Sequence, residues 1–249
     1  MINNEIQLFQ SGGLSPVLEF HSVIALNKEQ NLCWLCHHEG SYDVTMYKMY
    51  DIRQGVWMWC RERDYPKNQH KLLELSCSHD EQFVIATHKL GFIIWHIATV
   101  NADPSGEVGC THLKLPNGVR NVSVRANKSS PIVLSAKQEF AIAGIRKEMY
   151  VWSVKSGELV KTLDAHFSRI IDVQPLTYGQ WNCVITSSID RCIKIWNMNY
   201  IFQKSHHIDR HELPIESVRV STEAGIAVTV TRNCLGIWDL LTGNTKSFF

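Results

Sequence analysis

Short stretches in which apolar and polar residues alternate recur along the chain, and five of them end in an aromatic residue. Alternation with a period of two is typical of β-strands that bury one face. The five aromatic residues are separated by 45, 57, 44 and 42 positions, and they are Tyr50, Trp95, Trp152, Trp196 and Trp238. This spacing predicts an all-β chain made of five copies of one structural unit, and no segment is predicted to be helical.

Each copy is predicted to contain four strands separated by turn residues. In the first two copies the strands are predicted at 17–24, 32–37, 44–50 and 56–60, and at 71–76, 83–87, 91–97 and 108–115. In the third copy they are predicted at 140–145, 149–154 and 159–163, after an inner strand at either 121–125 or 131–135. In the last two copies they are predicted at 170–173, 183–187, 192–196 and 200–203, and at 215–220, 226–231, 235–238 and from 245 onward.

The copies divide residues 1–249, taken as a single array, into units of roughly 11–64, 65–116, 117–164, 165–205 and 206–249. The long spacing of 57 comes from an insertion at 98–130, which contains the turn-forming sequences Asp103-Pro104-Ser105-Gly106 and Pro116-Asn117-Gly118. Binding residues often lie on such loops. The insertion is therefore a candidate partner-binding loop, and the alternative is a solvated insertion without a role.

This pattern resembles the WD40-repeat family of β-propellers over essentially the whole chain. A period near 40–45 residues with a Trp at the end of a strand is the mark of a WD40 blade. The resemblance implies that each blade is held by a hydrogen-bonded set of His, Ser or Thr, Asp and Trp. In the fourth copy the matching residues are His166, Thr186 or Ser188, Asp190 and Trp196.

The other copies depart from this family pattern. The fifth has His211, Thr229 or Thr231, and Trp238, but Arg232 stands where the family has Asp. Arg146 occupies the same position in the third copy and Lys89 in the second, and Tyr50 replaces Trp in the first. We therefore expect a divergent member of the family with one complete set.

The expected fold class is an all-β, WD40-type β-propeller of about five four-stranded blades, incomplete or open. Five blades either close into a ring or form an arc of a larger propeller. The chain stops within a predicted outer strand at Phe248-Phe249, and residues 1–10 fit the remains of a preceding fourth strand, so the arc is favoured. An open arc exposes unpaired strand edges, which invite association.

Residues 148–243 also resemble the WD-repeat portion of NACHT-and-WD-repeat proteins. The segments that carry this resemblance include Ser187-Ser188-Ile189-Asp190-Arg191 and Thr229-Val230-Thr231-Arg232-Asn233-Cys234. In that family a nucleotide-binding module precedes a propeller that senses or regulates assembly. The chain has no Gly-x-x-x-x-Gly-Lys-Ser/Thr loop for phosphate, so only the role of the propeller could transfer.

Composition narrows the expected partners to other proteins or peptides. The formal net charge is +1 and no block of basic residues is present, so nucleic acid is not an expected partner. No apolar run approaches the roughly 18 residues of a membrane span, so a membrane is not an expected partner. Residues 1–5 lack the features of a secretion signal, which predicts a cytoplasmic protein with reduced cysteines.

No catalytic, cofactor-binding or metal-binding residue is predicted. Cys33-Trp34-Leu35-Cys36-His37 resembles a haem or half-zinc motif, but in a strand residues three apart point to opposite faces. Cys192 and Cys234 occupy equivalent positions in two blades, too far apart for a disulfide, and a cluster of His206, His207 and His211 around Asp209 is expected to be a solvated loop. A propeller enzyme or metal protein is the alternative function.

Trp57 and Trp59 are the candidate partner-binding residues. They alternate on a predicted outer strand, which would place them on one face. Exposed Trp is a strong anchor at protein interfaces, whereas lateral packing against the next blade is the alternative. The expected function is a non-catalytic interaction scaffold, or the regulatory propeller of a NACHT-type assembly protein.

Overall fold

The fold comes from a computed structural model of the chain. The structure describes residues 21–26, 32–39, 44–51, 56–64, 72–77, 82–88, 91–96, 110–119, 131–135, 137, 139–178, 181–198, 203–208, 211–221, 223–240 and 242–249. Side chains are described from residue 82 onward, apart from 110, 177–178, 181, 203–208 and 248. Within these residues every regular element is a β-strand.

The strands form five antiparallel sheets of four, and the strand order in each sheet follows the chain. The first blade contains β1 (His21–Leu26), β2 (Leu32–Glu39), β3 (Val44–Asp51) and β4 (Val56–Asp64). The second contains β5 (Leu72–Cys77), β6 (Phe83–His88), β7 (Gly91–His96) and β8 (Cys110–Lys114). The third contains β9 (Ile132–Leu134), β10 (Phe140–Ile145), β11 (Glu148–Ser153) and β12 (Leu159–Asp164).

The fourth blade contains β13 (Ile170–Tyr178), β14 (Trp181–Ser188), β15 (Ile193–Asn197) and β16 (Gln203–Ile208). The fifth contains β17 (Ile215–Ser221), β18 (Ile226–Thr231), β19 (Leu235–Asp239) and β20 (Thr245–Phe248). Repeated four-stranded meanders of this kind are the blades of a propeller. The predicted fold class is therefore confirmed.

Two details of the predicted strands change. The inner strand of the third blade is β9, in agreement with 131–135, while 121–125 lies outside the described residues. The fourth strand of the fourth blade was predicted at 200–203, but β16 starts at Gln203. Its sequence, Gln-Lys-Ser-His-His-Ile, is mostly polar, so it lacks the alternation that identifies a half-buried strand.

The second to fifth blades share apolar clusters, and Trp152, Trp196 and Trp238 each pack toward the preceding blade. Trp152 joins Phe92 and Leu113 of the second blade. Trp196 packs with Ile142 of the third blade, and Trp238 packs with Ile185 of the fourth. Burial of a Trp side chain against a neighbouring sheet removes a large apolar area from water. The hydrophobic core thus lies between blades as much as within them.

The inner strands of neighbouring blades lie side by side, as in the pairs β1 and β5, β9 and β13, and β13 and β17. Between β13 and β17 the guanidinium of Arg219 donates to Asp172, with 2.7 Å between Nη1 and Oδ2. Within the described part of the chain no contact of similar extent joins β17 to β1. The arrangement is that of an open or incomplete propeller.

Candidate protein-interaction face

The fourth blade brings His166, Thr186, Asp190 and Trp196 into one hydrogen-bonded chain. The indole Nε1 of Trp196 donates to Thr186 Oγ1 at 2.9 Å, and Thr186 Oγ1 lies 2.8 Å from His166 Nε2. His166 Nδ1 lies 2.9 Å from Asp190 Oδ2. Every donor is used when Nδ1 carries the imidazole proton and the hydroxyl of Thr186 donates to Nε2. This series of hydrogen bonds allows the large indole of Trp196 to be buried while its N–H stays hydrogen-bonded.

Ser188, the alternative hydroxyl, lies outside this chain. Its Oγ instead donates to the carbonyls of Ser168 and Arg169, at 3.1 and 2.9 Å. It also accepts the N–H of Asp190 at 3.1 Å. Ser188 therefore joins the turn after β14 to the loop that enters the same blade.

Asp190 stabilises this loop as a carboxylate. Burial raises its pKa, but the N–H of Phe167, the positive charge of His166 when protonated and the N–H of Cys192 act in the opposite direction, and the net pKa lies below 3.8. The N–H groups of Phe167 and Cys192 donate to its oxygens at 2.9 and 3.1 Å. Hydrogen bonds to a carboxylate favour its charged form.

The fifth blade repeats the hydroxyl bridge without an Asp. Trp238 Nε1 donates to Thr229 Oγ1 at 2.8 Å, and Thr229 Oγ1 lies 2.8 Å from His211 Nε2. Thr231, the alternative hydroxyl, donates to the carbonyl of Cys234 instead. Burial lowers the pKa of His211 below 6.5, while a hydrogen bond with the backbone of Arg191 acts to raise it. A backbone group of the fourth blade thus supports the histidine of the fifth.

The second and third blades carry alanine where the hydroxyl stands in the fourth and fifth blades. Each hydroxyl lies two residues beyond the residue opposite its Trp, and the strand register puts Ala86 and Ala143 at that position. Trp152 Nε1 donates to the carbonyl of Lys114 in the second blade, at 3.1 Å. Phe92 and Tyr150 flank its ring at centroid distances of 5.7 and 5.9 Å. The third blade therefore uses its neighbour's backbone in place of the hydroxyl.

Tyr50, Trp57 and Trp59 lie in β3 and β4, and their side chains are outside the described residues. The register pairs Trp57 with Tyr50 and Trp59 with Met49, with an irregularity between the two pairs. The regular alternation on which their shared face depends is interrupted at that point. Their role in partner binding stays a prediction.

The predicted histidine loop is partly a strand. His206 and His207 belong to β16, where they pair with Ile195 and Lys194. Asp209 and Arg210, between β16 and His211, lie outside the described residues. Cys192 and Cys234 are free thiols. The motif from Cys33 lies in β2, as predicted, and its side chains are not described.

One face of the propeller is built by the turns between second and third strands, which contact the loops that enter the same blade or the next one. The backbone carbonyls of Arg146 and Lys147, between β10 and β11, accept the N–H groups of Ile170 and His166. The N–H of Ile189, between β14 and β15, donates to the carbonyl of Arg169 at 3.0 Å. We call residues 146–147, 165–169, 189–191, 211–214 and 232–234 the basic face.

The exposed side chains of the basic face combine positive charge with apolar surface. Phe167 is 90% exposed, and Ile189 and Leu213 are more than a third exposed. Arginines surround them at positions 146, 169, 191 and 232, and Arg169 alone of these is half-buried. The ammonium of Lys194 is buried beneath Phe167, bonds to the carbonyl of Ala165 and lies 5.7 Å from the Phe167 ring centroid.

Negative charge on the basic face is scarce or already paired. Asp190 is engaged by His166, and Asp164, at its margin, forms an ion pair with Lys147 at 3.0 Å. Glu212 is exposed, and its backbone carbonyl lies 3.5 Å from Arg191 Nη1. The turns of the opposite face show a balanced mixture among the described residues: Lys137, Glu139, Lys155, Glu158 and Glu223.

Sequence reasoning did not identify the basic face. Phe167 directly follows the histidine of the fourth blade, in a loop where an apolar side chain has no core to enter. That position is the signal that could have revealed it. From the sequence, Arg146 and Arg232 are interpreted only as departures from the family's Asp, although four loops of this face carry an arginine.

Neither a metal site nor a membrane-spanning helix is found among the described residues. They contain no group of three or more His, Cys, Asp or Glu side chains placed to hold a metal ion. They contain no helix long and apolar enough to cross a membrane.

Comparisons with known proteins agree with the fold. Residues 205–249 match the family described as NWD2 C-terminal beta-propeller. The chain is 23% identical over 115 residues to WD repeat-containing protein 18 of Danio rerio. This match covers 42% of the present chain and 26% of the Danio rerio protein. The chain is 26% identical over 144 residues to the Pre-rRNA-processing protein pro-1 of Caenorhabditis elegans, which covers 58% and 25%.

These matches support the resemblance to WD40-repeat β-propellers that the sequence predicted. The chain spans about a quarter of the length of the curated relatives it matches. The fold is also similar to the crystal structure of the computationally designed Ika8 protein, with a TM-score of 0.61 at 19% identity. That likeness covers 91% of this chain and 61% of the designed one.

Proposed function

We propose that this chain is a non-catalytic, cytoplasmic scaffold that holds segments of other proteins on its basic face. The observation that supports this most is Phe167, a large apolar side chain that is 90% exposed on a hydrogen-bonded loop. Exposed aromatic and arginine side chains on a rigid support are typical of interface anchors. WD-repeat relatives are consistent with an interaction role.

Rigidity distinguishes this loop from an ordinary exposed loop. The N–H of Phe167 is fixed by Asp190, which is itself held by His166 and by the N–H of Cys192. A side chain on a pre-organised backbone loses less conformational entropy on binding. The hydrogen-bonded set of the fourth blade therefore both stabilises the blade and presents Phe167.

The test is selection of peptides from a random display library on the full chain. Selected peptides should bind, and should bind much more weakly to a variant that carries Phe167→Ala, Arg169→Glu and Arg232→Glu. The control is Lys155→Glu, an exposed charge reversal on the opposite face. Absence of any binding peptide, or equal loss with the control, would contradict the proposal.

A second candidate is the regulatory propeller of a NACHT-type assembly protein. It is favoured by the match of residues 205–249 to the NWD2 C-terminal beta-propeller family. Sequencing the complete transcript of this gene tests the candidate. A nucleotide-binding module with a phosphate-binding loop in the same product would support it, and a complete product without one would reject it.

A further inference from the structure

We infer that the partner of the basic face is an acidic, extended protein segment with at least one large apolar side chain, which rests on Phe167. The inference builds on the proposed scaffold function and names the chemistry of its partner. It depends on three features of the described residues: an excess of positive charge, apolar side chains within it, and a buried cation below them.

The charge of the basic face is separated from that of the rest of the molecule. The chain as a whole carries a formal charge of only +1. Arg146, Arg191 and Arg232 are nevertheless exposed on this face, while the Asp190 side chain is only 7% exposed and hydrogen-bonded to His166, and Asp164 is paired with Lys147. Exposed arginines attract carboxylates and can hold them through two parallel hydrogen bonds.

Apolar side chains occur between these charges. Phe167 and Ile189 lie on segments joined by the bond from Ile189 N–H to the Arg169 carbonyl, and Leu213 follows in the next loop. Covering them would release water from apolar surface. A partner made of charge alone would leave this surface exposed, so an aliphatic or aromatic residue among the acidic ones fits better.

Lys194 adds a positive charge in a place that solvent does not reach. It is 9% exposed, and its ammonium bonds to the carbonyl of Ala165 directly below Phe167. Charges in a poorly hydrated environment are screened less than exposed ones. A carboxylate beside the Phe167 ring would therefore be attracted even at moderate salt.

Nucleic acid fits these features less well than an acidic peptide. Single strands are usually bound by a basic groove with several aromatic side chains on which successive bases stack. The described basic face has one exposed aromatic ring, and its other apolar groups are the aliphatic Ile189 and Leu213. These side chains favour packing against an apolar residue rather than base stacking.

The experiment measures fluorescence anisotropy of the full chain with three labelled probes: a Glu/Ser peptide with a central Leu, the same peptide with Lys for Glu, and a single-stranded oligothymidine of equal negative charge. We expect only the acidic peptide to bind, and more weakly at higher salt. Arg169→Glu combined with Arg232→Glu should weaken binding about tenfold or more.

Matched variants separate the two components of the surface. Phe167→Ala should weaken binding of the acidic peptide with Leu, but not of one with Ser in its place. Two control variants should change the binding of neither peptide. They are Val160→Ala, which truncates an exposed apolar side chain in β12, and Lys155→Glu. Each variant should retain the parent's thermal unfolding temperature, which shows that the fold is kept.

Equal binding of the basic peptide, tighter binding of the oligonucleotide to the same residues, or equal effects of the control variants would overturn the inference. If neutral peptides selected by display bind the basic face while acidic ones do not, the inference fails and the scaffold function stands. If no peptide of either kind binds there, both fail.

Discussion

At the scale of single residues, a threonine hydroxyl accepts the indole N–H of the anchoring Trp in the fourth and fifth blades. Thr186 and Thr229 each contact a His and a Trp, whereas Ala86 and Ala143 occupy that position in the second and third blades. The sequence predicted one set that contains His166, Asp190 and Trp196, and in the structure hydrogen bonds through Thr186 link them. The sequence did not choose between two candidate hydroxyls in the fourth blade and two in the fifth, because only the strand register distinguishes them.

Thr186→Val tests the importance of this hydroxyl. The substitution keeps the shape of the side chain but leaves the buried Trp196 N–H and His166 Nε2 without their partner. We expect a loss of about 2–4 kcal/mol in the free energy of unfolding, measured by chemical denaturation. Thr162→Val, at an exposed position in β12, is the matched control and should change stability by about 0.5 kcal/mol or less. Similar losses in both variants would contradict this role.

His211 predicts a pH dependence of stability. Its pKa in the folded chain lies below 6.5 because burial disfavours the charged imidazole. The unfolded chain therefore binds a proton first as the pH falls, so the stabilisation is complete above pH 6.5 and is lost below it. One such group gives a slope of up to about 1.4 kcal/mol per pH unit.

The measurement is denaturant unfolding of the parent and of His211→Gln between pH 8 and pH 5. The variant should be less stable at pH 8, because Thr229 loses its histidine partner, and should show a flatter dependence below pH 6.5. Parallel curves for the two proteins would show that His211 does not titrate in this way.

At the scale of elements, the pairing of third and fourth strands is irregular at the anchoring aromatic residue. The register shifts immediately before Tyr50, Trp152, Trp196 and Trp238. An extra residue at such a bulge increases the twist of the strand. Strands with regular alternation were predictable from sequence, but these shifts and the polar β16 were not, because neither has a period-two signal.

The contact between the third and fourth blades depends on a missing side chain at Gly144. A Cβ at this position would lie 2.4 Å from Ile170 Cγ2 and 3.2 Å from Val173 Cγ2. Gly144→Ala should therefore force the sheets apart and lower stability by about 1–3 kcal/mol. Adding Ile170→Ala removes the nearest methyl group, so the double variant should lose less than the sum of the two single changes. Strictly additive losses would show that the two residues do not interact.

At the scale of the whole molecule, stability is expected to differ between middle and outer strands. Most of β14 and β15 is buried on both sides, whereas β12 has Leu159 and Val160 exposed. The repeat made the propeller predictable, because a regular spacing of strand-final Trp has few other interpretations. The basic face was not predictable, because its residues come from separate loops that meet only when the blades fold and pack side by side.

Hydrogen exchange measured by mass spectrometry tests this difference. Amides in 181–188 and 193–197 should exchange much more slowly than those in 159–164, because outer strands open with a smaller free energy. The outer strand at 159–164, which contains Leu163, is compared with the middle strands of the same chain, so no second protein is needed. Equal protection of the outer and middle strands would indicate that the blades open only as one unit.

The histidine of the fourth blade has a consequence for how such blades could be exchanged between proteins. His166 precedes β13 and lies in the loop that leaves the third sheet, yet its partners Thr186 and Asp190 belong to the fourth. A graft cut at the sheet boundary would separate them, whereas a segment that begins at Ala165 would carry its own polar partners. The natural unit of recombination is therefore offset from the sheet by one loop.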